Sequence, residues 1–439
     1  MMVGIIACSF WACQLSNTNV DPTEDFFRIY DINAQLAYEA RDIQLLSDGG
    51  YLIYGEAIVD SSQGNSLVYG VPYFLKVDQF GIYQWDTTLM AYRDNRDKNK
   101  RVDNSRRRLV YAGGLYYFTG YPQDTDDSRI RLLSFDAVNE IIKEVYIFDR
   151  MTDNIEALDL VANPEGGFYA SVSKCFNLNG TADRVGVMFF DDAGNLQWEK
   201  DITDSYMCRR FLSTSQSAQP TEMYNDIGYL QTGAGAKYVY LKTAINEDVD
   251  DRIFNLVVLD AATGDSLFSN LFNDVRILFD GDGSDLHTGV PMLLYTDGDD
   301  SIRMATANFT TGGEEILYPT IEVATGEEEV IFNENEFSSN ELELGTPILI
   351  EEASFASTNV LLYSGTTREG RIMVAAFGQS DGKLLSKKYF GYNSFYEVGG
   401  IIQTTDGGFA LAGHTITGGR FNQLCLIKIS QRRLGEIAD

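Results

Sequence analysis

The chain has 439 residues, a formal charge of −30 and 44% hydrophobic residues. That length exceeds what one hydrophobic core usually fills, so several domains or a repeat array are expected. The acidic excess excludes a general nucleic-acid binder, because phosphates would be repelled. Twelve per cent aromatics, with 25 Tyr and 26 Phe, and 40 Gly against 8 Pro favour β-structure joined by tight turns.

The opening segment, MMVGIIACSFWACQ, is apolar, uncharged and too short to span a bilayer as a helix. It reads as the hydrophobic part of a secretory signal, although no Lys or Arg precedes it. Phe10-Trp11-Ala12-Cys13 resembles a bacterial lipobox, which implies lipidation at Cys13. Ile5-Ile6-Ala7-Cys8 fits the box residues better but leaves almost no hydrophobic run in front of it. Residues 1–13 are therefore expected to be a signal, 14–24 a polar tether and 25–439 one folded unit. Cys175 and Cys208 could pair in an oxidising compartment, and the sequence leaves that open.

One phrase then recurs: LLSDGGYLIYGEA (Leu45 to Ala57), VANPEGGFYASVS (Val161 to Ser173) and TTDGGFALAGHT (Thr404 to Thr415). Each reads as a β-hairpin around a glycine turn. A weaker hairpin is expected near Gly228, and degenerate ones around Val290 to Thr296 and Thr358 to Gly365. Further along each unit comes an apolar third strand ending in Asp or a substitute: YFLKVD, RLLSFD, VMFFD, LVVLD, RMATAN, MVAAFG and LCLIKIS. A turn follows, with Gly81, Gly194, Gly264, Gly312, Gly382 or Gly435, and Asn139 in the second unit. Trp85 and Trp198 share one slot after that turn, which Phe268 and Ile316 fill in the fourth and fifth units. Seven units of about four short strands have the period of β-propeller blades. The fold expected is an all-β, seven-bladed propeller of four-stranded antiparallel blades. Its last unit lacks a fourth strand, and Phe26 to Tyr30, with no partner in its own unit, is expected to close the ring there.

Chemistry-bearing residues are sparse. Only His287 and His414 exist, and His414 falls in a repeat slot that suggests a structural role. DDAGNLQW (Asp191 to Trp198) comes near the Asp box of sialidase-like propellers, but its Trp is one residue too far from Asp192, so it reads as an ordinary turn. FDGDGSDLH places Asp280, Asp282 and Ser284 two apart, as oxygens converge in a calcium loop, although Pro291 stands where an EF-hand needs its twelfth-position Glu. A solvated turn is the simpler reading. No cofactor other than calcium is suggested.

Two charge runs stand out. RDNRDKNKRVDNSRRR gathers Arg93, Arg96, Lys98, Lys100, Arg101, Arg106, Arg107 and Arg108 against three Asp, between the first two units. It reads either as a docking patch for an anionic partner, such as an acidic protein surface or lipopolysaccharide phosphates, or as a solvated loop. From Met304 to Ser364 there is no Lys, Arg or His, and Thr325 to Gly345 reads as an acidic insertion between the fifth and sixth units.

With these hairpins behind a lipobox-like segment, the chain resembles the DGG-hairpin β-propeller lipoproteins of Bacteroidota-type bacteria. The resemblance implies lipid anchorage at the outer membrane, on its surface or periplasmic face. It also implies a non-catalytic role beside other envelope proteins, in uptake, secretion or barrel assembly. The alternative expectation is a glycan-binding or glycan-cleaving propeller. Propellers host many activities, so the fold alone does not choose.

Overall fold

The computed structural model describes residues 24–32, 36–60, 68–93, 108–122, 130–148, 154–175, 184–202, 226–248, 251–272, 292–297, 301–309, 315–323, 331–332, 337–343, 346–355, 358–391, 394–416 and 421–433. They form seven antiparallel blades of a β-propeller. The strands of the first blade are Ala37–Leu45, Tyr51–Asp60, Val68–Val77 and Tyr83–Thr88, hydrogen-bonded in that order. In the second blade the edge beside Leu115–Pro122 is shared by two short pieces, Tyr92–Arg93 and Val110–Ala112.

The recurring phrase encodes the first hairpin letter by letter. Asp48 accepts the Gly50 N–H at 2.9 Å and reaches Lys76 in the third strand at 3.2 Å. Gly49 takes a φ of 81°, which L-residues rarely adopt. Gly50 lies so close to the third strand that a Cβ would fall 2.5 Å from the Val77 carbonyl oxygen. Asp406, Gly407 and Gly408 repeat the arrangement in the seventh blade, where Asp406 pairs with the buried Lys428. The Asp that ends a third strand makes the next turn: Asp191 accepts the N–H groups of Ala193 and Asn195, and Asp78 those of Phe80 and Ile82. DDAGNLQW is thus an ordinary turn of the repeat.

The core is divided among seven apolar clusters, one between each pair of neighbouring blades. Slot residues serve these seams. Trp85 meets Phe135 of the second blade edge-on at 6.0 Å, and Trp198 lies over Gly264 of the fourth. Buried tyrosines add polar stitches from blade to blade. The Tyr117 hydroxyl donates to the Asp192 carbonyl, Tyr169 to that of Ala261 and Tyr30 to that of Gly81, all at 2.8–2.9 Å. Burial lifts the Tyr117 phenol to about 12, so these hydroxyls stay protonated donors.

Ring closure occurs where the sequence places it. Phe26–Tyr30 pairs antiparallel with Gln423–Ile429, Phe26 opposite Lys428 and Tyr30 opposite Leu424. Asp25 secures the seam by accepting the Ser430 N–H at 2.7 Å and pairing with Arg433 at 2.8 Å.

The fifth and sixth blades depart from the expectation. RMATAN belongs to Ser301–Phe309, the second strand of its blade; the third is Glu315–Glu322, so Ile316 is not in the tryptophan slot. The fifth first hairpin joins Met292–Asp297 to Ser301–Phe309, and the sixth joins Ile348–Phe355 to Thr358–Thr366, so Thr358 to Gly365 is a single strand. Gly228 lies within the strand Asp226–Gln231, and the turn glycine there is Gly235. Described parts of the acidic run are structural. Ile331–Phe332 and Phe337–Ser339 supply the fifth blade's outer edge, and Glu341 and Leu342 fasten it to the sixth. Lys387 meets Glu341 at 2.6 Å and Tyr389 donates to the same carboxylate. Burial works against the charged form of Glu341, yet these two donors hold its carboxyl below the usual range.

Candidate functional site: the central cleft

The first strand of each blade faces the axis of the wheel. Those of blades one, two, three, six and seven line a cleft of about 420 Å3. Its polar groups are Arg41, Asp42, Gln44, Arg108, Glu351, Glu352 and Gln403, with Tyr111 beside them and Gly399 and Gly400 in one wall.

Most of these groups also hold the wheel together. Asp42 stands seven residues before the first glycine of its hairpin, and Asp159 takes the same place in the third blade. One Asp42 oxygen accepts the Ile43 N–H at 2.7 Å, and the other accepts the Leu109 N–H of the second blade at 2.7 Å. Asp159 repeats this with Leu160 at 2.9 Å and, more loosely, with Ile227 of the fourth blade at 3.4 Å. Asp159 has no exposed surface, so its role is purely architectural. In the seventh blade the slot holds Gly400, where a Cβ would fall 2.9 Å from the Ile43 nitrogen. There the neighbouring inner strand leaves no room for a side chain.

Asp42 keeps some surface because it borders the cleft, yet it lies deep inside the wheel. Burial pushes its carboxyl up to about 6, against the Leu109 and Ile43 N–H groups and the Arg108 guanidinium, which favour the charged form. Glu352 is raised by burial and by the Glu351 carboxylate, while the Gln379 amide, 2.6 Å away, opposes the shift. Arg41 pairs with Glu39 at 3.0 Å and Glu56 at 3.2 Å. The Gln44 amide donates to the Leu109 carbonyl at 2.8 Å, and Arg108 points to the Ile227 carbonyl at 3.5 Å.

The residues singled out from sequence fall elsewhere, with one exception. Arg108, the last of the basic run, lines the cleft. Arg93 lies in the two-residue strand beside the second blade. Arg96, Lys98, Lys100, Arg101, Arg106 and Arg107 lie outside the described residues, as do Cys13, Cys208, Asp280, Asp282 and Ser284. Among the described residues no group of three His, Cys, Asp or Glu could hold a metal ion. Among them, too, no helix is long and apolar enough to cross a membrane. His414 is buried, 3.8 Å from Glu397, in the seventh blade.

No protein-family model matches the chain, and no curated protein matches it. Solved structures similar to it include a polysaccharide lyase, Uly1, at 9% identity and a TM-score of 0.49, covering 89% of each chain. An oligogalacturonate lyase in complex with manganese shares 11% identity at a TM-score of 0.46, over 93% of this chain and 98% of the other. The NanB sialidase of Streptococcus pneumoniae shares 10% identity at a TM-score of 0.42, over 94% and 70%. At these values the likeness supports no statement about activity.

Proposed function

We propose that the protein is a non-catalytic recognition propeller of the bacterial envelope, anchored at the outer membrane by lipid on Cys13 and docked to another envelope protein. The observation that carries the non-catalytic part is the match between Asp42 and Asp159. Asp42, an acid in the cleft wall, performs the same strut function as Asp159, a carboxylate with no exposed surface. General acid–base work needs a carboxyl aimed at a substrate, whereas both Asp42 oxygens are aimed at backbone N–H groups.

Topology supports docking on one face. The glycine hairpins and the turns between third and fourth strands lie at one end of the wheel and are short. The connections spanning 94–107, 203–225 and 273–291 all leave from the opposite end.

The test has two arms. Metabolic labelling with a fatty acid should mark the wild-type protein and not Cys13→Ala; labelling lost only in Cys8→Ala would move the anchor. Purification from detergent-solubilised membranes should recover one stoichiometric envelope partner, lost in Arg106→Glu/Arg107→Glu. Recovery of the wild-type protein alone would overturn the docking role. One observation favours a second reading, glycan recognition: Tyr111, at the cleft, is 52% exposed and offers a ring face on which a sugar can stack.

A further inference from the structure

The turn end of the wheel, where third strands pass into fourth strands, carries exposed apolar side chains in several blades. In the first blade Ile82 and Tyr83 follow that turn directly, and both are exposed. In the second, Val138 stands at the turn itself and is 89% exposed, its N–H taken by Asp136. Leu267 in the fourth blade and Leu384 in the sixth are exposed at the start of their outer strands. Single exposed apolar residues need no explanation, but recurrence beside one turn in four blades does. Much of the charge at this end is answered locally. Asp48 pairs with Lys76, Glu165 with Lys237, Asp265 with Lys200 and Asp381 with Lys383. Asp78, Asp136, Asp191 and Asp260 accept backbone N–H groups of their own turns. A second, independent observation concerns the chain's entry. Asp25 is fixed to Ser430 and Arg433, just past the end of Gln423–Ile429, so the residues before it join the wheel at this same end.

We propose that the turn end of the wheel is a membrane-facing surface that rests on zwitterionic lipid, its apolar side chains entering the boundary between headgroups and acyl chains. Interfacial binding of this kind strengthens with the apolar area buried. The inference rests on the proposed lipid at Cys13 for its direction. Residues 14–24 lead from that cysteine to Asp25 and can span at most about 40 Å, so an anchor there draws the turn end toward the bilayer. Anionic headgroups would meet the turn carboxylates and be repelled, which is why a net-neutral lipid surface is the one that fits. The opposite end, from which the long connections leave, then points away from the membrane and is open to a partner.

Added tryptophans read the orientation. The full-length protein, extracted from membranes in detergent, is reconstituted into phosphatidylcholine vesicles with brominated acyl chains, which quench an indole only on contact. The emission added by Val138→Trp or Leu267→Trp over wild type should lose most of its intensity relative to unbrominated vesicles. That added by Ile416→Trp, exposed at the opposite end just after the strand Phe409–Thr415, should be unchanged. All three positions are exposed, so each variant should keep a melting midpoint near that of wild type, and should one turn-end variant unfold the other still decides. Equal quenching at the two ends, or none at Val138 and Leu267, would overturn the proposal. The mass of the purified protein reports acylation separately. An acylated protein without turn-end quenching removes the membrane face and leaves the anchor standing. A protein with no lipid that binds the vesicles and shows turn-end quenching keeps the face and removes the anchor.

Discussion

Asp42 in the first blade accepts the backbone N–H of Leu109 in the second at 2.7 Å, across the seam between two sheets. With the Ile43 N–H on its other oxygen, the side chain spans the seam much as a backbone bond spans strands. Burial taxes the charged form, and the carboxyl rises to about 6.

A pH dependence follows, and its sign is fixed. The folded protein holds a proton on Asp42 more tightly than the unfolded chain, whose carboxyl titrates near its ordinary value of 3.8. Asp42 therefore destabilises the fold progressively as pH rises from about 4 to 6, by at most about 3 kcal/mol. Other carboxylates titrate the opposite way, so the measurement is a difference. Denaturant unfolding of wild type and Asp42→Asn should show the wild-type advantage shrinking across that range. A constant difference from pH 4 to 7 would mean that Asp42 has no raised affinity for its proton.

A second prediction concerns Asp406 and Lys428. Lys428 is 2% exposed, and its ammonium meets the Asp406 carboxylate at the hairpin turn. Burial opposes the charge on Asp406, but Lys428 and the Thr404 hydroxyl hold its carboxyl below the usual range. The pair's contribution is present above that range and lost as pH falls through the lowered value. Asp406→Asn removes the carboxylate that pairs with the buried Lys428 ammonium and should destabilise by about 3–5 kcal/mol, whereas Asp406→Leu/Lys428→Met should recover most of the loss. Equal losses in the single and double variants would show that the pair is not the source.

Gly399 offers a third, purely steric test. A Cβ there would lie 2.1 Å from the Ala40 carbonyl oxygen, where the inner strands of the seventh and first blades meet. That carbonyl is backbone and cannot rotate away. Gly399→Ala should destabilise by about 3 kcal/mol or force the seam apart. Chemical denaturation of the variant decides it, and a change below about 0.5 kcal/mol would show that the two strands are not that close.

Much of this wheel is legible before any coordinates, for a physical reason. Positive-φ glycines and third-strand approach points have few substitutes, so Gly49-Gly50 and Gly407-Gly408 repeat visibly. The missing fourth strand of the last blade likewise pointed to Phe26–Tyr30. The fifth blade misleads because RMATAN, a buried second strand, carries the same apolar run before glycine as a third strand does. The cleft is illegible for another reason. Asp42, Arg108, Glu351 and Gln403 come from four blades, and their convergence is a property of ring closure rather than of spacing. One signal was available: Asp42 and Asp159 both stand seven residues before a glycine pair. Arg108, grouped by sequence with a surface run, turns out to face the axis.

Every inference about the cleft presupposes a closed ring, which the strand Phe26–Tyr30 completes by pairing with Gln423–Ile429. Native-state hydrogen exchange reads that pairing directly. The backbone amides of Phe26–Tyr30 that pair with this strand should be protected to a degree comparable with the paired amides of Leu424–Lys428, opening only with the whole wheel. Exchange of the Phe26–Tyr30 amides at the rate of an unstructured peptide, with Leu424–Lys428 still protected, would contradict the closure and the axial cleft with it.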